Sequence, residues 1–247
     1  MAGRRPPDRA VAPVVQRIRL RYARRGRLRF SSHRDFQRAL ERAIRRAGVP
    51  IAYSAGFSPH PKISYANSAP TGAASECEYV EIGVTQELDP EEVRRALDSA
   101  LPDGLDIVDA VVARSSDFAA RLEASLWRIE VPGADPTELM AAREAFWAAD
   151  EVLVERRAKS GLRTFDARGP VVRLDLQEES DGQACAILEA VVRHVTMSVR
   201  PDDVLAALRR VSDFEPPVPP RVTRLAQGPL DIATGAVGDP FAPDRED

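Results

Sequence analysis

Cysteine is scarce in this 247-residue chain: only Cys77 and Cys185 occur, far apart, with no CxxC and no Cys/His grouping beside either. That excludes a local zinc or iron–sulfur site, each of which needs several closely spaced soft ligands, so no metal and no cofactor is expected. Histidine is limited to His33, His60 and His194, and no Ser/His/Asp order or paired-carboxylate motif accompanies them. The glycines stand scattered, so no phosphate-cradling glycine loop stands out. No apolar run approaches the roughly 20 residues that span a bilayer, and no membrane partner is expected. The opening MAGRRPPDRAVAP lacks the apolar stretch of a secretory leader. It reads as a disordered lead-in to a cytoplasmic protein whose thiols stay reduced.

Charge is plentiful instead, and it is segregated. Residues 1–62 hold sixteen Arg or Lys against three Asp or Glu, a net of +13, so the remainder carries −16 of the total of −3. In the run VVQRIRLRYARRGRLRF, Ile18, Leu20 and Tyr22 alternate with Arg17, Arg19 and Arg21, and Leu28 and Phe30 with Arg27 and Arg29. Period two predicts a strand with one apolar and one cationic face. Ser31 or Ser32 can cap the helix that follows, with Asp35 in its first turn against the positive end of the helix dipole. Phe36, Leu40, Ile44 and Ala47 form its buried stripe, Arg34, Arg38, Arg42, Arg45 and Arg46 take much of the remaining surface, and Gly48 and Pro50 stop it.

A Gly- and Pro-rich loop, AYSAGFSPHPKISYANSAPTGA, then leads to a strand at about Glu78–Val84. DPEEVRRALDSALP predicts a helix with Asp89 as cap and Pro90 at its first position, and LDIVDAVVA a closing strand. The same kind of order recurs: SLWRIEV, helix PTELMAAREAFWAA, strand EVLVERR, a basic loop, strands PVVRLDLQEE and CAILEAVVR, helix RPDDVLAALRRV, strand PRVTRLA. The expected fold is α+β, two tandem ferredoxin-like α/β plaits with antiparallel sheets, over 15–114 and 123–226. Residues 1–14 and the Gly-, Pro- and Asp-rich 227–247 are expected to be disordered.

Four features bear on function. On the strand and helix, Arg19, Arg21, Arg29, Arg38, Arg42 and Arg45 are candidate phosphate ligands, because a guanidinium fork matches a pair of phosphate oxygens and crowded like charges are relieved by a polyanion. Carboxylates from the acidic remainder, Glu76, Glu78, Glu81 and Glu91 among them, are the alternative partners of the same arginines. In GFSPHPK, His60 sits between Pro59 and Pro61, which restrict the backbone on both sides; Phe57, Tyr53 and Tyr65 offer stacking faces and Lys62 a cation. A rigid structural loop is the plainer reading. His33 lies near a helix N-terminus, which lowers imidazole's proton affinity; it is a candidate general base or simply part of a cap. Finally, RRAKSGLRTFDARGP gathers Arg156, Arg157, Lys159, Arg163 and Arg168 in the second half, as a second RNA contact or a solvated hairpin.

With these residues assembled, RLRFSSHRDFQRALERAIRRAGVPIAYSAGFSPHPKISYA, continuing through TGAASECEYVEIGV, resembles the signature of the radical SAM-associated protein family, a bacterial domain of unknown function. GLRTFDARGPVVRLDL and VRPDDVLAAL resemble it too, so the likeness covers about residues 15–225. The family's usual SHLD stands here as Ser32, His33, Arg34 and Asp35. The resemblance implies association with a cobalamin-binding radical SAM enzyme, to which the domain is fused in some members. Cluster chemistry of that kind needs three cysteines, normally CxxxCxxC, which this chain lacks. The expectation is therefore a non-catalytic RNA-binding or substrate-presenting module that works with a separate radical SAM enzyme. Two rivals are a metal-independent endoribonuclease with His33 or His60 as base, and a protein-interaction subunit that binds no nucleic acid.

Overall fold

Alternation of apolar residues with arginine gives strand β1 (Gln16–Arg24) an oily face, and that face seeds the first core. Ile18, Leu20 and Tyr22 are buried there with Phe36, Leu40 and Ile44 of helix α1 (His33–Arg46), and the rings of Tyr22 and Phe36 stack 3.9 Å apart. These elements belong to a computed structural model in which residues 11–158, 161–177 and 185–245 are described. The chain divides into two units, one running to Ala119 and taking in the segment from Phe241, the other running from Ala120 to Pro240.

In the first unit α1 is followed by β2 (Ile63–Ala66), β3 (Ala74–Val84), α2 (Pro90–Ala100) and β4 (Leu105–Val112). The strands lie in the order β4-β1-β3-β2, each antiparallel to its neighbours. Asp89 caps α2 by accepting from the Glu91 N–H at 2.9 Å, and Pro90 opens the helix where a missing donor costs nothing. Val93 and Leu97 of α2 join the same core.

The second unit comprises β5 (Ala124–Pro132), α3 (Pro136–Ala148), β6 (Leu153–Ala158), β7 (Gly161–Asp166), β8 (Val171–Gln177), β9 (Cys185–Arg193), α4 (Pro201–Val211) and β10 (Arg221–Gly228). Four strands are again antiparallel, in the order β10-β5-β9-β8, while β6 and β7 pair with each other as an inserted hairpin. The protein is thus mixed α/β with antiparallel pairing. Among the described residues no helix is long and apolar enough to cross a membrane. Cys77 is buried and Cys185 half-buried, and neither is in a disulfide.

Three expectations are corrected. β1 does not run on to Phe30: Gly26 adopts φ +53°, and bonds from the Leu28 N–H to the Arg25 carbonyl and from the Ser31 N–H to the Leu28 carbonyl wind Gly26–Phe30 into a 3-10 turn. The basic loop after β6 contains strand β7; its pattern is hidden because most of β7 is exposed, so no alternation between core and solvent marks it. The segment 227–247 is ordered as far as Arg245. Gly, Pro and Asp dominate its composition, but Phe241 is fully buried against the rings of Tyr79 and Phe118, and Asp244 is buried on Arg19. Two well-placed side chains outweigh the composition. Residues 1–10 of the lead, Lys159 and residues 246–247 lie outside the described residues.

The Arg19 side chain is 1% exposed and that of Asp244 0%, with Nη1 2.8 and 2.6 Å from the two carboxylate oxygens. Removing Asp244 leaves the buried Arg19 with Glu81 at 3.0 Å as a carboxylate partner, and takes from the Arg114 N–H its acceptor. Asp244→Ala is therefore expected to lower unfolding free energy by about 1–3 kcal/mol, with part of the loss recovered when Arg19→Met is added. Denaturant unfolding checks both variants.

Candidate nucleic-acid interface

The arginines of β1 meet carboxylates because of strand register. Arg19 lies opposite Glu81 of β3 and Arg21 opposite Asp109 of β4. Cross-strand neighbours of opposite sign attract, and these do so as ion pairs of 3.0 and 3.5 Å. Arg17 shares Glu81, and Arg25 pairs with Glu76 and Asp106. The hydrogen bond to Glu76, reinforced by the charges of Glu76 and Asp106, raises the Arg25 pKa. Arg19 also donates to the Ser115 carbonyl and lies 4.9 Å from the centroid of the Phe118 ring. Arg24, likewise buried, donates to the carbonyls of Ala69, Pro70 and Ala73, while Glu78 accepts from the Ala69 N–H at 3.0 Å, so the SAPTG loop is held from both sides. The expected open cationic face of the strand is thereby corrected: Arg19 is buried, and Arg21 is exposed only in part and paired.

Helix α1 behaves differently. A capping box starts it: Ser32 Oγ accepts from the Asp35 N–H at 3.2 Å, and the Asp35 carboxylate accepts from the Ser32 N–H at 3.1 Å. Hydrogen bonding from the Ser32 hydroxyl and then its backbone lowers the Asp35 pKa. Phe36, Ala39, Leu40, Ala43 and Ile44 are buried, and Gly48 at φ +67° closes the last turn, with the Val49 N–H on the Ile44 carbonyl. Burial of that stripe forces Arg34, Arg38, Arg42 and Arg45 outward. Spaced i, i+4, i+8 and i+11, they share one face over about 16 Å. All four are exposed, and among the described residues none forms an ion pair. Arg46 instead donates to the Ala100 carbonyl at the end of α2.

Beside the last turns of α1 stands the GFSPHPK loop. Its base is closed by bonds from the Ser54 N–H to the His60 carbonyl and from the His60 N–H to Ser54 Oγ, and by a bridge between Tyr53 and Pro61. Lys62 continues from it, its backbone fixed between Ala52 and Gly83 and its side chain exposed. Phe57 stands 58% exposed in the loop. Between loop and helix lies a cavity of about 180 Å³, with Glu41 and Arg45 from the helix, Tyr53 and His60 from the loop, and Ile44 and Ile51 among its lining.

The structure thus brings together Arg45 and His60, two of the residues singled out from sequence. Glu41 and Tyr53 complete the setting; Glu41 was masked by the arginines around it, although i−4 spacing from Arg45 puts it on the same helix face. Burial, followed by the charge of Glu41, raises the Tyr65 hydroxyl pKa. His33 is exposed, yet each ring nitrogen meets a polar partner, Gln37 Nε2 at 3.1 Å and Ser68 Oγ at 3.3 Å, and the ring sits edge-on to Tyr65. That places His33 in the helix-start network. Arg29 is half-buried with its guanidinium 4.7 Å from the Phe30 ring centroid.

In the second unit Arg168 stacks on Trp147 at 4.1 Å, and Arg156 pairs with Asp203 at 2.6 Å, while Arg163 is exposed near Met197 Sδ. Burial first, against the bonds from Arg200 and the charge of Arg156, raises the Asp203 pKa. His194 is taken up by Ser125 Oγ and the Leu122 carbonyl, and burial lowers its pKa.

Residues 17–201 match the model of a family described as an uncharacterized protein conserved in bacteria (DUF2344). No curated protein matches the chain. Because the capping box sets where α1 begins, and hence where its arginines point, Ser32→Ala is expected to cost about 1 kcal/mol of unfolding free energy. Chemical denaturation, with amide exchange at residues 33–36 as the local readout, measures it.

Proposed function

The chain belongs to this family of conserved bacterial proteins, and from that premise we propose that it is a non-catalytic RNA-binding module that presents a structured RNA to a separate radical SAM enzyme. One observation carries the reading: among the described residues four arginines on one face of α1 form no ion pair, in a unit where Arg17, Arg19 and Arg21 of β1 are paired with carboxylates. Exposed guanidinium groups without internal partners are the ones free to exchange counterions for phosphates.

Arg34, Arg38 and Arg42 hold the backbone, Arg45 stands at the loop beside His60, and Arg29 and Lys62 lie at the margins. Phe57 and His60 face the bases, which suits single-stranded or looped RNA, where unstacked bases meet aromatic rings. In the second unit Arg163 is the exposed candidate, and Arg168 serves packing on Trp147. The repeated β-α-β-β-α-β order, with matching antiparallel strand orders, supports reading both units as ferredoxin-like plaits, a scaffold that carries many functions. The motif likeness around Ser32–Asp35 and GFSPHPK supports the radical SAM association. With only two cysteines in the chain, the cluster must come from the partner. A cytoplasmic setting agrees with two cysteines that are not in a disulfide.

Three phosphate contacts predict a log–log slope of RNA affinity against salt near −2. Arg38→Ala is expected to reduce that slope by roughly 0.7 and weaken all sequences alike, whereas Arg17→Ala, whose guanidinium already sits on Glu81, is expected to leave it unchanged. Fluorescence anisotropy across a salt series on tRNA and rRNA fragments is the measurement; a flat response refutes the proposal.

A further inference from the structure

The cavity beside α1 is too small for a whole ligand: about 180 Å³ falls short of the roughly 300–1,000 Å³ that encloses drug-sized molecules, so it suits one ring of something larger. Its polar lining is specific. Glu41 offers a carboxylate, which when ionised is an acceptor with two oxygens, and one helical turn further on Arg45 offers a fork of donors. This is the i, i+4 spacing at which an acid and a base commonly pair, yet no ion pair joins them, so both remain available to a ligand. Tyr53, 40% exposed, also lines the cavity, and His60 is held by the closed base of its loop.

The four RNA bases differ in the edge they show to such a pair. Guanine presents two adjacent donors, N1–H and N2–H, beside the acceptor O6. Adenine sets one donor next to one acceptor, cytosine sets one donor beside two acceptors, and uracil sets one donor between two acceptors. Two acceptor oxygens followed by a cationic donor therefore complement guanine alone. From this we infer that the Glu41–Arg45 cavity is a guanine-reading subsite, in which the Glu41 carboxylate accepts from N1–H and N2–H, Arg45 donates to O6, and Tyr53 supplies a stacking face. The inference rests on the RNA-binding reading, and it adds what a phosphate-binding helix face lacks, a preference for one unpaired base.

The test uses the full chain in two arms. Ligand-observed saturation-transfer NMR with the four ribonucleosides, which carry no phosphate, reports the cavity alone: guanosine is expected to give transfer well above the other three. Heptamers of uridine with a single central G, A or C report cavity and backbone together, and a bidentate base contact predicts that the G heptamer binds about tenfold tighter or more. Glu41→Gln, which puts a donor in place of one acceptor, is expected to cut that preference to less than about twofold, with circular dichroism confirming the fold. Equal transfer from guanosine and adenosine overturns the inference even if the heptamers bind. So does a guanine preference that survives Glu41→Gln, or a uniform gain for every heptamer in that variant, the mark of a mere repulsive charge removed. Guanosine transfer without salt-dependent heptamer binding keeps the subsite and removes the backbone reading, and silence in both arms removes both.

Discussion

Register between β1 and its two neighbours decides the electrostatics of the first unit. With Arg19 opposite Glu81 and Arg21 opposite Asp109, the arginines of the strand meet carboxylates before they can meet anything else. A one-residue slip would turn Ile18, Leu20 and Tyr22 out of the core, so burial of that oily face enforces the ion pairs on the other. Asp244, returning from the far end of the chain, completes the neutralisation at Arg19. An ion pair so deeply buried is weak evidence of net stabilisation, because desolvation offsets much of the attraction. Its clearer consequence is positional: it ties the segment from Phe241 to the first unit.

The surplus positive charge is therefore displaced from strand to helix. Helix α1 buries one stripe, its outward Arg34, Arg38, Arg42 and Arg45 form no ion pair among the described residues, and Glu41 stays apart from Arg45. The capping box and Gly48 set the two ends of that helix, and the loop closed by Ser54 and His60 stands against its last turns. A row of exposed cations with aromatic rings nearby meets the physical requirements for single-stranded nucleic acid: an electrostatic track and π faces. Both derive from residues within the first 65 positions.

What was legible in the sequence was what is local. Ser32 with Asp35, Asp89 with Pro90, and the 3–4 spacing of Phe36, Leu40 and Ile44 each specify their structure within a few residues. The strand–helix order of both units follows from such signals. The fate of Arg19 did not, since its partners lie 62 and 225 positions away. Composition misjudged the tail for the same reason: Phe241 and Asp244 order it through contacts at long range. β7 escaped because neither a buried face nor an apolar period marked it. Within the site, the arginine stripe and His60 could be read in advance, but the cavity could not, because it depends on how the loop closes against α1.

Arginine-selective modification with phenylglyoxal, mapped by peptide mass spectrometry with and without RNA, measures the division of charge directly. Arg34, Arg38, Arg42 and Arg45 should react readily and be protected by RNA, while Arg19 and Arg24 should react slowly in either case. Equal reactivity of Arg19 and Arg38, or RNA protection on β1 with none on α1, would contradict it.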